Sequence, residues 1–480
     1  MKKHGLTILL LVGLILSACQ AAPPPKPTPI PPAEPTLAPA EPTSTSEPLP
    51  IKLTLWTERG KECPRSVTNY VTGDTQDWGE DKAQPGDLIL WWVEQFKKAY
   101  PQWANIEIEY ILGSYEGGLT SGEFGALIAA GEMPDIVDMF AGRLGGLAEE
   151  IGIDMSGYLT DDQIADFVDY EASLNEDGEL RMIPWHGLLD RKGINISLAE
   201  RACAQEGFDC NIPQEPWEIV QYADLLVMAD AVKALNEDNW LFCWWGQNAS
   251  GQHHHWWWFS NAGLAMFEDG EYQGFNTEEG LYVLEEILRL YNEGYFIPDA
   301  PGLNDDVCYV YQNLGQELLS AGLDNASDYD IGGGAVLSGE LEEPYKGLPI
   351  FGIQFFDDVP PMALGTPISD AITVTEHTPD HARQAAVDFA WFMSSQFYNE
   401  DTWHPAVFRS QQDRGYMTAN VDPWFELAEE YGMADQGMTV PCYNDIRLLF
   451  SELITSMFLG LSTPQEVLDG LDAGAAEFCK

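Results

Sequence analysis

The chain is 480 residues long and 45% hydrophobic, so it is large enough for two or three domains with a substantial buried core. Its 77 acidic and 23 basic residues give a formal net charge of −54. A surface this acidic repels nucleic acid and anionic lipid, so we expect no nucleic-acid partner and no strongly anionic ligand.

The N-terminus has the pattern of a secretion signal. A positive pair, Lys2-Lys3, precedes an apolar run over residues 6–16 that is too short to span a bilayer comfortably. The run ends in Leu16-Ser17-Ala18-Cys19, which resembles the lipobox of bacterial lipoproteins. This resemblance implies that residues 1–19 are a signal peptide, that Cys19 is lipidated, and that the protein is extracytoplasmic and lipid-anchored to the cell membrane. The alternative is an uncleaved membrane anchor.

Residues 20–50 are rich in Pro, Ala, Thr, Ser and Glu, which indicates an extended, semi-rigid tether rather than a folded segment. A lipid anchor followed by such a tether would let a globular domain work next to a membrane without entering it. Beyond the tether, no stretch of the sequence is apolar enough to suggest a transmembrane helix.

The first part of the folded region alternates between strand and helix patterns. These elements are predicted, in chain order, at 51–56, 87–100, 106–110, 124–130 and 134–139. The order strand, helix, strand, helix, strand implies parallel pairing in an open α/β sheet. Ligands of such sheets bind beyond the C-terminal ends of the strands, so we expect Trp56, Glu58 and the turn at 139–143 at the edge of a cleft.

Residues 240–259, here called the aromatic segment, contain six of the sixteen tryptophans and run through a histidine triplet at 253–255. Aromatic side chains dominate core burial, so one interpretation is that most of these rings fill a core. Alternatively, at least two of them line a ligand cleft, with Trp244, Trp245 and Trp257 as the candidates, because flat rings and polar neighbours suit a sugar. Adjacent histidines rarely converge on one ion, so no metal site and no cofactor is predicted.

Three later segments carry local signals. Pro216-Trp217-Glu218 is predicted to open a helix that runs through Met228. Asn276 is predicted to cap a helix that ends at Gly294, with Glu279 returning the contact as in a capping box. The stretch 324–334 places three aspartates near three glycines, but its spacing misses the EF-hand pattern, so an acidic turn is favoured over a calcium loop.

The chain has eight cysteines, and seven remain if Cys19 is lipidated. Secretion permits disulfides, and Cys203 and Cys210, which lie close in sequence, are the predicted pair. The odd remainder predicts at least one cysteine outside any disulfide.

Several short segments recur in one known family. Gly131-Glu132-Met133-Pro134-Asp135-Ile136 reads Gly-x-x-Pro-Asp-Ile, and Phe275-Asn276-Thr277-Glu278-Glu279-Gly280 reads Phe-Asn-Thr-x-Glu-Gly. Further matching segments lie at 143–146, 216–218, 373–395 and 463–476. In this order, behind a lipobox and a tether, they resemble the bacterial extracellular solute-binding lipoproteins of ABC (ATP-binding cassette) sugar importers, of the maltodextrin and multiple-sugar type.

The resemblance implies a two-lobed periplasmic-binding-protein fold, with an open, mostly parallel sheet flanked by helices in each lobe and hinge strands between the lobes. The first lobe would comprise residues 51–184 plus about 348–398, and the second 185–347 plus about 399–480. The two lobes would close over a ligand held between them.

The resemblance also implies a function and several site residues. Arg143 matches a position that contacts ligand in the family, Trp185 and His186 lie on the expected crossover with Asp190 close behind, and Tyr443 falls in a ligand-near segment. The implied ligand is a mono- or oligosaccharide, and the implied partners are the membrane permease subunits of an ABC importer. We expect a monomer that is not an enzyme.

Two other interpretations remain open from the sequence. A secreted glycoside hydrolase would need two carboxylates about 5–10 Å apart across a cleft, and a chain with 77 acidic residues offers many such pairs. A cell-surface carbohydrate adhesion module would present a broad aromatic face with no enclosed pocket.

Overall fold

The fold is built on two β-sheets with helices packed around them. The computed structural model describes residues 50–58, 66–79, 83–84, 86–113, 123–175, 177–190, 192–246, 255–268, 270–303, 307–308, 310–311, 314–320, 330–331, 345–396, 407–413 and 422–480. The strands in these ranges are β1 (Lys52–Thr57), β2 (Ser66–Thr68), β3 (Thr75–Asp77), β4 (Glu107–Leu112), β5 (Ile136–Phe140), β6 (Ile183–Asp190), β7 (Lys192–Asn195), β8 (Glu218–Gln221), β9 (Phe267–Glu268), β10 (Glu271–Tyr272), β11 (Leu319–Ser320), β12 (Asp330–Ile331), β13 (Tyr345–Gln354), β14 (Ala363–Val374) and β15 (Met433–Asp435).

The helices in the same ranges are α1 (Asp87–Ala99), α2 (Glu123–Ala130), α3 (Ala141–Ile151), α4 (Asp161–Asp166), α5 (Ile196–Cys203), α6 (Tyr222–Leu235), α7 (Trp257–Ser260), α8 (Glu278–Asn292), α9 (Asp380–Ser395), α10 (Arg409–Asp413), α11 (Asp422–Tyr431), α12 (Tyr443–Phe458) and α13 (Pro464–Phe478).

The first sheet has the strand order β10-β9-β15-β14-β5-β1-β4, with β6 also paired to β14. Strand β1 runs parallel to both β4 and β5, so the sequence prediction of a parallel α/β core is confirmed. All five residues of β5 are buried, as expected for a strand covered on both faces. Strand β4 lies at the edge and alternates exposed with half-buried residues.

The second sheet has the order β11-β7-β13-β12, with β8 also paired to β13. Strand β13 runs parallel to β8 and antiparallel to β7 and β12. The chain passes between the two sheets from β6 to β7, from β8 to β9, from β10 to β11 and from β13 to β14. Strand β6 is buried along its whole length. These crossing strands and the α/β layers confirm the predicted fold class.

Two strands extend across the predicted lobe boundaries. Strand β13 includes residues 348–354 and pairs within the second sheet, whereas β15, at 433–435, pairs with β14 in the first. The place at which the two lobes divide therefore stays a prediction.

The described residues form two large cores that are rich in aromatic side chains. Under the first sheet, α1 and α9 pack together through Phe96 of α1, whose ring centroid lies 5.1 Å from Phe389 and 5.5 Å from Phe392. The larger core contains the aromatic segment together with residues of the second sheet and of α8 and α12. Burial of this much aromatic surface is the main source of stabilisation available to the chain.

Two sequence predictions about helix starts were wrong. Residues 218–221 form β8, and α6 begins only at Tyr222, because parallel pairing with β13 outweighs the local helix signal. Helix α8 is capped by Thr277, whose side chain accepts a hydrogen bond from the backbone N–H of Gly280. Asn276 instead donates to Asp472 of α13, at 2.8 Å. The predicted end is confirmed, since Gly294 takes a left-handed φ of 75° just past the helix.

Three disulfides join described cysteines: Cys203–Cys210, Cys243–Cys308 and Cys442–Cys479. The first is the pair expected from the sequence. The second ties the aromatic segment to a distant part of the chain, and the third ties the start of α12 to the end of α13. Of the seven cysteines after Cys19, this leaves Cys63, which lies outside the described residues, as does Cys19 itself.

Candidate ligand-binding site

A buried ion pair lies where β1 and β5 end. Glu58 follows β1 directly, and Arg143 is in the first turn of α3, which follows β5. The Arg143 Nη2 atom is 2.5 Å from the Glu58 Oε2 atom, and both side chains are at most 5% exposed. Because parallel strands bring their carboxyl ends to one edge, the sheet places these two predicted residues together.

The surroundings of Glu58 raise its pKa to about 7. The largest cause is desolvation by burial, which disfavours the charged carboxylate, and the nearby carboxylates of Asp370 and Asp138 add to the rise. The Arg143 guanidinium and the backbone N–H of Phe140 lower the pKa and offset part of that rise. Glu58 therefore exchanges its proton close to neutral pH.

A second titratable pair, between β6 and β14, lies beside the first. The Nε2 atom of His186 is 3.3 Å from the Oδ2 atom of Asp370. In the sheet, Asp370 is the ladder partner of both Phe140 and His186, which places its carboxylate near Glu58. Trp185 contacts the edge of the His186 ring at 4.1 Å between centroids, but it belongs to the core under the first sheet.

Helix α12 adds an aromatic ring and a second arginine. The Tyr443 ring lies 6.3 Å from Phe140, between centroids, and the Arg447 guanidinium lies 5.8 Å from the Phe140 ring and 5.7 Å from Tyr443. All of Arg447 is buried. A Cβ at Gly142 would collide with the Tyr443 ring, so the absence of a side chain there lets the ring approach α3.

We call this assembly the charged cluster: Glu58, Arg143, His186, Asp370, Tyr443 and Arg447. The structure thus brings together four residues expected from the sequence and adds two that sequence reasoning missed. Arg447 follows Tyr443 by one helical turn, and that spacing could have identified it. No comparable signal marks Asp370, which the pairing of distant strands brings to the cluster.

A second polar group surrounds Asp190, where the chain crosses from β6 to β7. The Lys192 Nζ atom is 2.6 Å from Asp190 Oδ1 and 5.7 Å from the centroid of the Trp257 ring. The side-chain amide of Gln436 donates a long hydrogen bond of 3.5 Å to Asp190 Oδ2. We call these four residues the crossover group; Asp190 and Trp257 were expected, whereas Lys192 and Gln436 were not.

The other members of the aromatic segment lie in the core. Trp244 stacks on His255 at 4.0 Å and on Phe296 at 6.1 Å, and Trp245 lies 6.1 Å from Phe242. These rings are at most 2% exposed. Trp56, at the end of β1, packs against Phe124 at 5.4 Å and is equally buried. Contact between Trp56, Trp185, Trp244 or Trp245 and a ligand stays a prediction.

A metal-binding group and a membrane-spanning helix are both absent from the described residues. In those ranges, no three His, Cys, Asp or Glu side chains are grouped to hold a metal ion; His253, His254, Asp324 and Asp328 lie outside them. None of the helices described here combines the length and the hydropathy that crossing a bilayer requires.

Comparison with solved structures identifies the fold. No family model matches the sequence, and no curated protein matches it. The structure resembles a sugar transporter protein of Arthrobacter chlorophenolicus with bound laminaribiose (TM-score 0.63, 14% identity, 89% of this chain and 100% of that one). It also resembles an ABC transporter solute-binding protein of Thermotoga lettingae bound with α-D-tagatose (TM-score 0.63, 14% identity, 90% and 100%). A third is an ABC substrate-binding protein of Listeria monocytogenes in complex with cycloalternan (TM-score 0.61, 15% identity, 89% and 99%).

The chain has the ABC sugar-binding protein fold. The likeness extends over nearly the whole of each solved structure, so both sheets and the crossing strands are shared. In this fold, His186 and Asp370 of the charged cluster lie on β6 and β14, and Asp190 of the crossover group is the last residue of β6.

Proposed function

We propose that this protein is the substrate-binding component of an ABC importer, which captures a carbohydrate outside the membrane and delivers it to permease subunits. The observation that carries the proposal is the fold, which proteins in complex with laminaribiose, tagatose and cycloalternan share over about nine-tenths of this chain. In this role the protein would act as a monomer and would perform no chemical step.

The chemistry of the two polar groups suits an uncharged sugar. Each of the two groups contains a buried pair of opposite charges: Glu58 pairs with Arg143, and Asp190 with Lys192. Ionised groups form stronger hydrogen bonds to hydroxyls than neutral groups do, and the Tyr443 ring beside the charged cluster is an apolar surface of the kind that packs against the C–H face of a sugar. A neutral guest preserves the charge balance, whereas a charged guest would leave one buried charge in excess.

Binding is communicated to the permease by closure of the two lobes. Closure would occur about the connections from β6 to β7 and from β13 to β14, where strands that follow one another in the chain pass from one sheet to the other. A ligand that contacts both lobes stabilises the closed form in proportion to its preference for that form.

A sugar and polyol library screened by thermal shift tests the proposal. A bound sugar raises the melting temperature by mass action, and calorimetry then gives its affinity. Arg143→Lys keeps the charge opposite Glu58 but removes the planar guanidinium and most of its hydrogen-bond donors, so we expect affinity for the sugar to fall about tenfold. Arg289→Lys, in a pair with Glu286 on α8, is the matched control and should bind as the parent protein does. A protein that binds none of the sugars would refute the proposal.

The same sugars distinguish binding from hydrolysis. Oligosaccharides incubated with the protein should be recovered with their length unchanged. Shortened products that disappear in a Glu58→Gln variant would instead support a glycoside hydrolase, because Glu58 is a buried carboxyl with a pKa near neutrality, as a general acid requires.

Membrane attachment through Cys19 belongs to the proposal as well. We expect Cys19→Ser to release the protein from the membrane fraction and to remove the mass of the acyl chains from the mature N-terminus. Cys63→Ser, a change at the other cysteine outside the disulfides, should leave the protein on the membrane. Retention of the Cys19→Ser protein would favour an uncleaved anchor.

A further inference from the structure

Gln436 is held in a fixed position by its surroundings. It follows β15, and its backbone N–H donates to the carbonyl of Gly365 in β14 at 2.9 Å. Its side-chain nitrogen faces the Asp190 carboxylate, which only accepts hydrogen bonds, so the amide cannot be rotated without placing two oxygens together. The Oε1 atom of Gln436 therefore points away from Asp190. Gln436 is fully buried, and this Oε1 atom has no hydrogen-bond partner among the described residues.

The backbone at Trp257 is also held in place by hydrogen bonds. Its carbonyl accepts a hydrogen bond from the Asn261 side chain at 2.7 Å, and Asn261 in turn accepts one from Ile353 of β13 at 2.7 Å. This connection holds the first residue of α7 on the second sheet. The indole Nε1 of Trp257 is buried and also lacks a hydrogen-bond partner within the described residues. A donor and an acceptor without partners among the described residues thus belong to the two side chains that contact this ion pair.

Buried polar atoms without partners are costly, at roughly 1–3 kcal/mol each. Core tryptophans such as Trp258 also have a buried indole Nε1 without a partner among the described residues, but Gln436 and Trp257 lie beside a buried ion pair. The Asp190–Lys192 pair is neutral as a whole. A chemical group that fits between a fixed donor and a fixed acceptor, without adding charge, is a hydroxyl, because it accepts and donates at once.

We propose that the crossover group is a specificity subsite that selects uncharged sugars. In this subsite, Gln436 Oε1 accepts a hydrogen bond from one ligand hydroxyl, and Trp257 Nε1 donates to the same hydroxyl or to its neighbour on the ring. Lys192 and Asp190 position the two groups and keep the subsite neutral. A uronic acid or an amino sugar would place a net charge beside this neutral pair and is rejected. The inference rests on the proposed function, which supplies the sugar.

The test uses the full chain and the sugar with the highest affinity in the library, together with its series of monodeoxy analogues. Gln436→Met removes the acceptor at similar length, and Trp257→Phe removes the indole N–H but keeps a ring over Lys192. Trp258→Phe is the matched control, because Trp258 is an equally buried neighbour whose ring packs on Phe296 and Phe355 in the core.

We expect Gln436→Met to bind the parent sugar roughly 10- to 100-fold more weakly. For one monodeoxy analogue, the variant and the unmodified protein should have the same affinity. That analogue lacks the hydroxyl that would donate to Gln436, so loss of the Gln436 acceptor costs it nothing. Trp257→Phe should show the same pattern for that hydroxyl or its neighbour, and Trp258→Phe should keep the original preferences. A merely structural role would weaken all analogues equally.

Three outcomes would overturn the inference. One is an unchanged affinity in both variants, and the second is an equal loss across the whole analogue series. The third is tight binding of the corresponding uronic acid by the unmodified protein. If Gln436→Met fails to fold, as its melting curve would show, Trp257→Phe decides the question alone. Absence of any sugar binding would instead reject the proposed function, and the subsite with it.

Discussion

The charged cluster and the aromatic segment are both buried, yet the chain assembles them differently. The charged cluster draws its side chains from the residue after β1, from β6 and β14, and from two helices, whereas the aromatic segment is one stretch of the sequence. In the segment, Trp244 packs on His255 and Phe296. A concentration of unusual residues along the sequence therefore indicates a core here, and the polar groups that suit a ligand come from distant parts of the chain.

A buried carboxyl in each region shows the same contrast. Glu317 lies under the aromatic segment, where burial raises its pKa well above the usual range, and only the backbone N–H of Cys243 offsets the rise. Glu58 is nearly as buried, but Arg143 keeps its pKa at about 7. Desolvation raises the pKa of both carboxyls, and at Glu58 the Arg143 guanidinium is the largest opposing influence. A carboxyl poised near neutrality can respond to a ligand, whereas burial of Glu317 favours its neutral form.

The largest loss of stability should come from a substitution in the aromatic segment. Trp244→Ala removes a fully buried ring and leaves a cavity, so we expect a loss of about 3–5 kcal/mol in the free energy of unfolding without ligand. Chemical denaturation measures it. Leu461→Ala, at a side chain that is 75% exposed, is the control and should change stability by no more than about 0.5 kcal/mol. A loss below that for Trp244→Ala would mean that the ring is not a core element.

Substitutions in the charged cluster should lower the free energy of unfolding less than Trp244→Ala does, and their effect should depend on the charge of Glu58. Arg143→Met leaves Glu58 buried without its partner, but protonation of Glu58 limits the cost, so we expect a loss of about 2 kcal/mol at neutral pH and a larger one at alkaline pH. Combining it with Glu58→Gln should recover most of the loss, since both charges are then gone. Denaturation at two pH values measures this double-mutant cycle, and additive losses would show that the two side chains act independently.

The sequence predicts those features of the fold and the site that depend on residues close together in the chain. It does not predict those that depend on contacts between distant elements. Alternating apolar residues predicted β1, β4 and β5, and their parallel order then placed Glu58 and Arg143 at one edge. Asp370, Lys192 and Gln436 escaped prediction, because what makes each of them a site residue is a neighbour contributed by another strand or helix.

The same reasoning explains the errors in helix starts. The Pro-Trp-Glu signal at 216–218 is local, and pairing of β8 with β13 across more than 120 residues outweighs it. At α8, Asn276 and Thr277 are both good capping residues, so one position could not be preferred from the sequence. The structure has Thr277 as the cap, and the Asn276 amide oxygen instead accepts a hydrogen bond from Gln465 of α13.

The pH dependence of stability should distinguish Glu58 from the exposed carboxyls. Its folded-state pKa of about 7 lies above the ordinary 4.5, so the folded protein binds a proton more tightly in this interval. The stability that this group contributes is fully present below about pH 4.5 and is lost as the pH rises through about 7, with a slope of at most about 1.4 kcal/mol per pH unit. Glu58→Gln should remove this slope, whereas exposed Glu94→Gln should not. A parent protein that gains stability relative to Glu58→Gln with rising pH would contradict the assignment.

The smallest change in stability should accompany Tyr443→Phe, which keeps the ring that contacts Phe140, Trp256 and Arg447 and removes only the hydroxyl. We expect the free energy of unfolding to change by less than about 1 kcal/mol. Tyr291→Phe is the matched control in the aromatic core, since that ring lies 4.4 Å from Phe458.

The two tyrosine variants should differ in their affinity for a sugar. If the charged cluster binds ligand, Tyr443→Phe weakens affinity by about 1 kcal/mol in calorimetry, because a ligand hydroxyl loses its partner. Tyr291→Phe should leave affinity unchanged, because its ring serves packing alone. Equal affinities in both variants would assign Tyr443 to packing as well. The charged cluster would then resemble the aromatic segment in function, and the ligand would have to be sought at the crossover group.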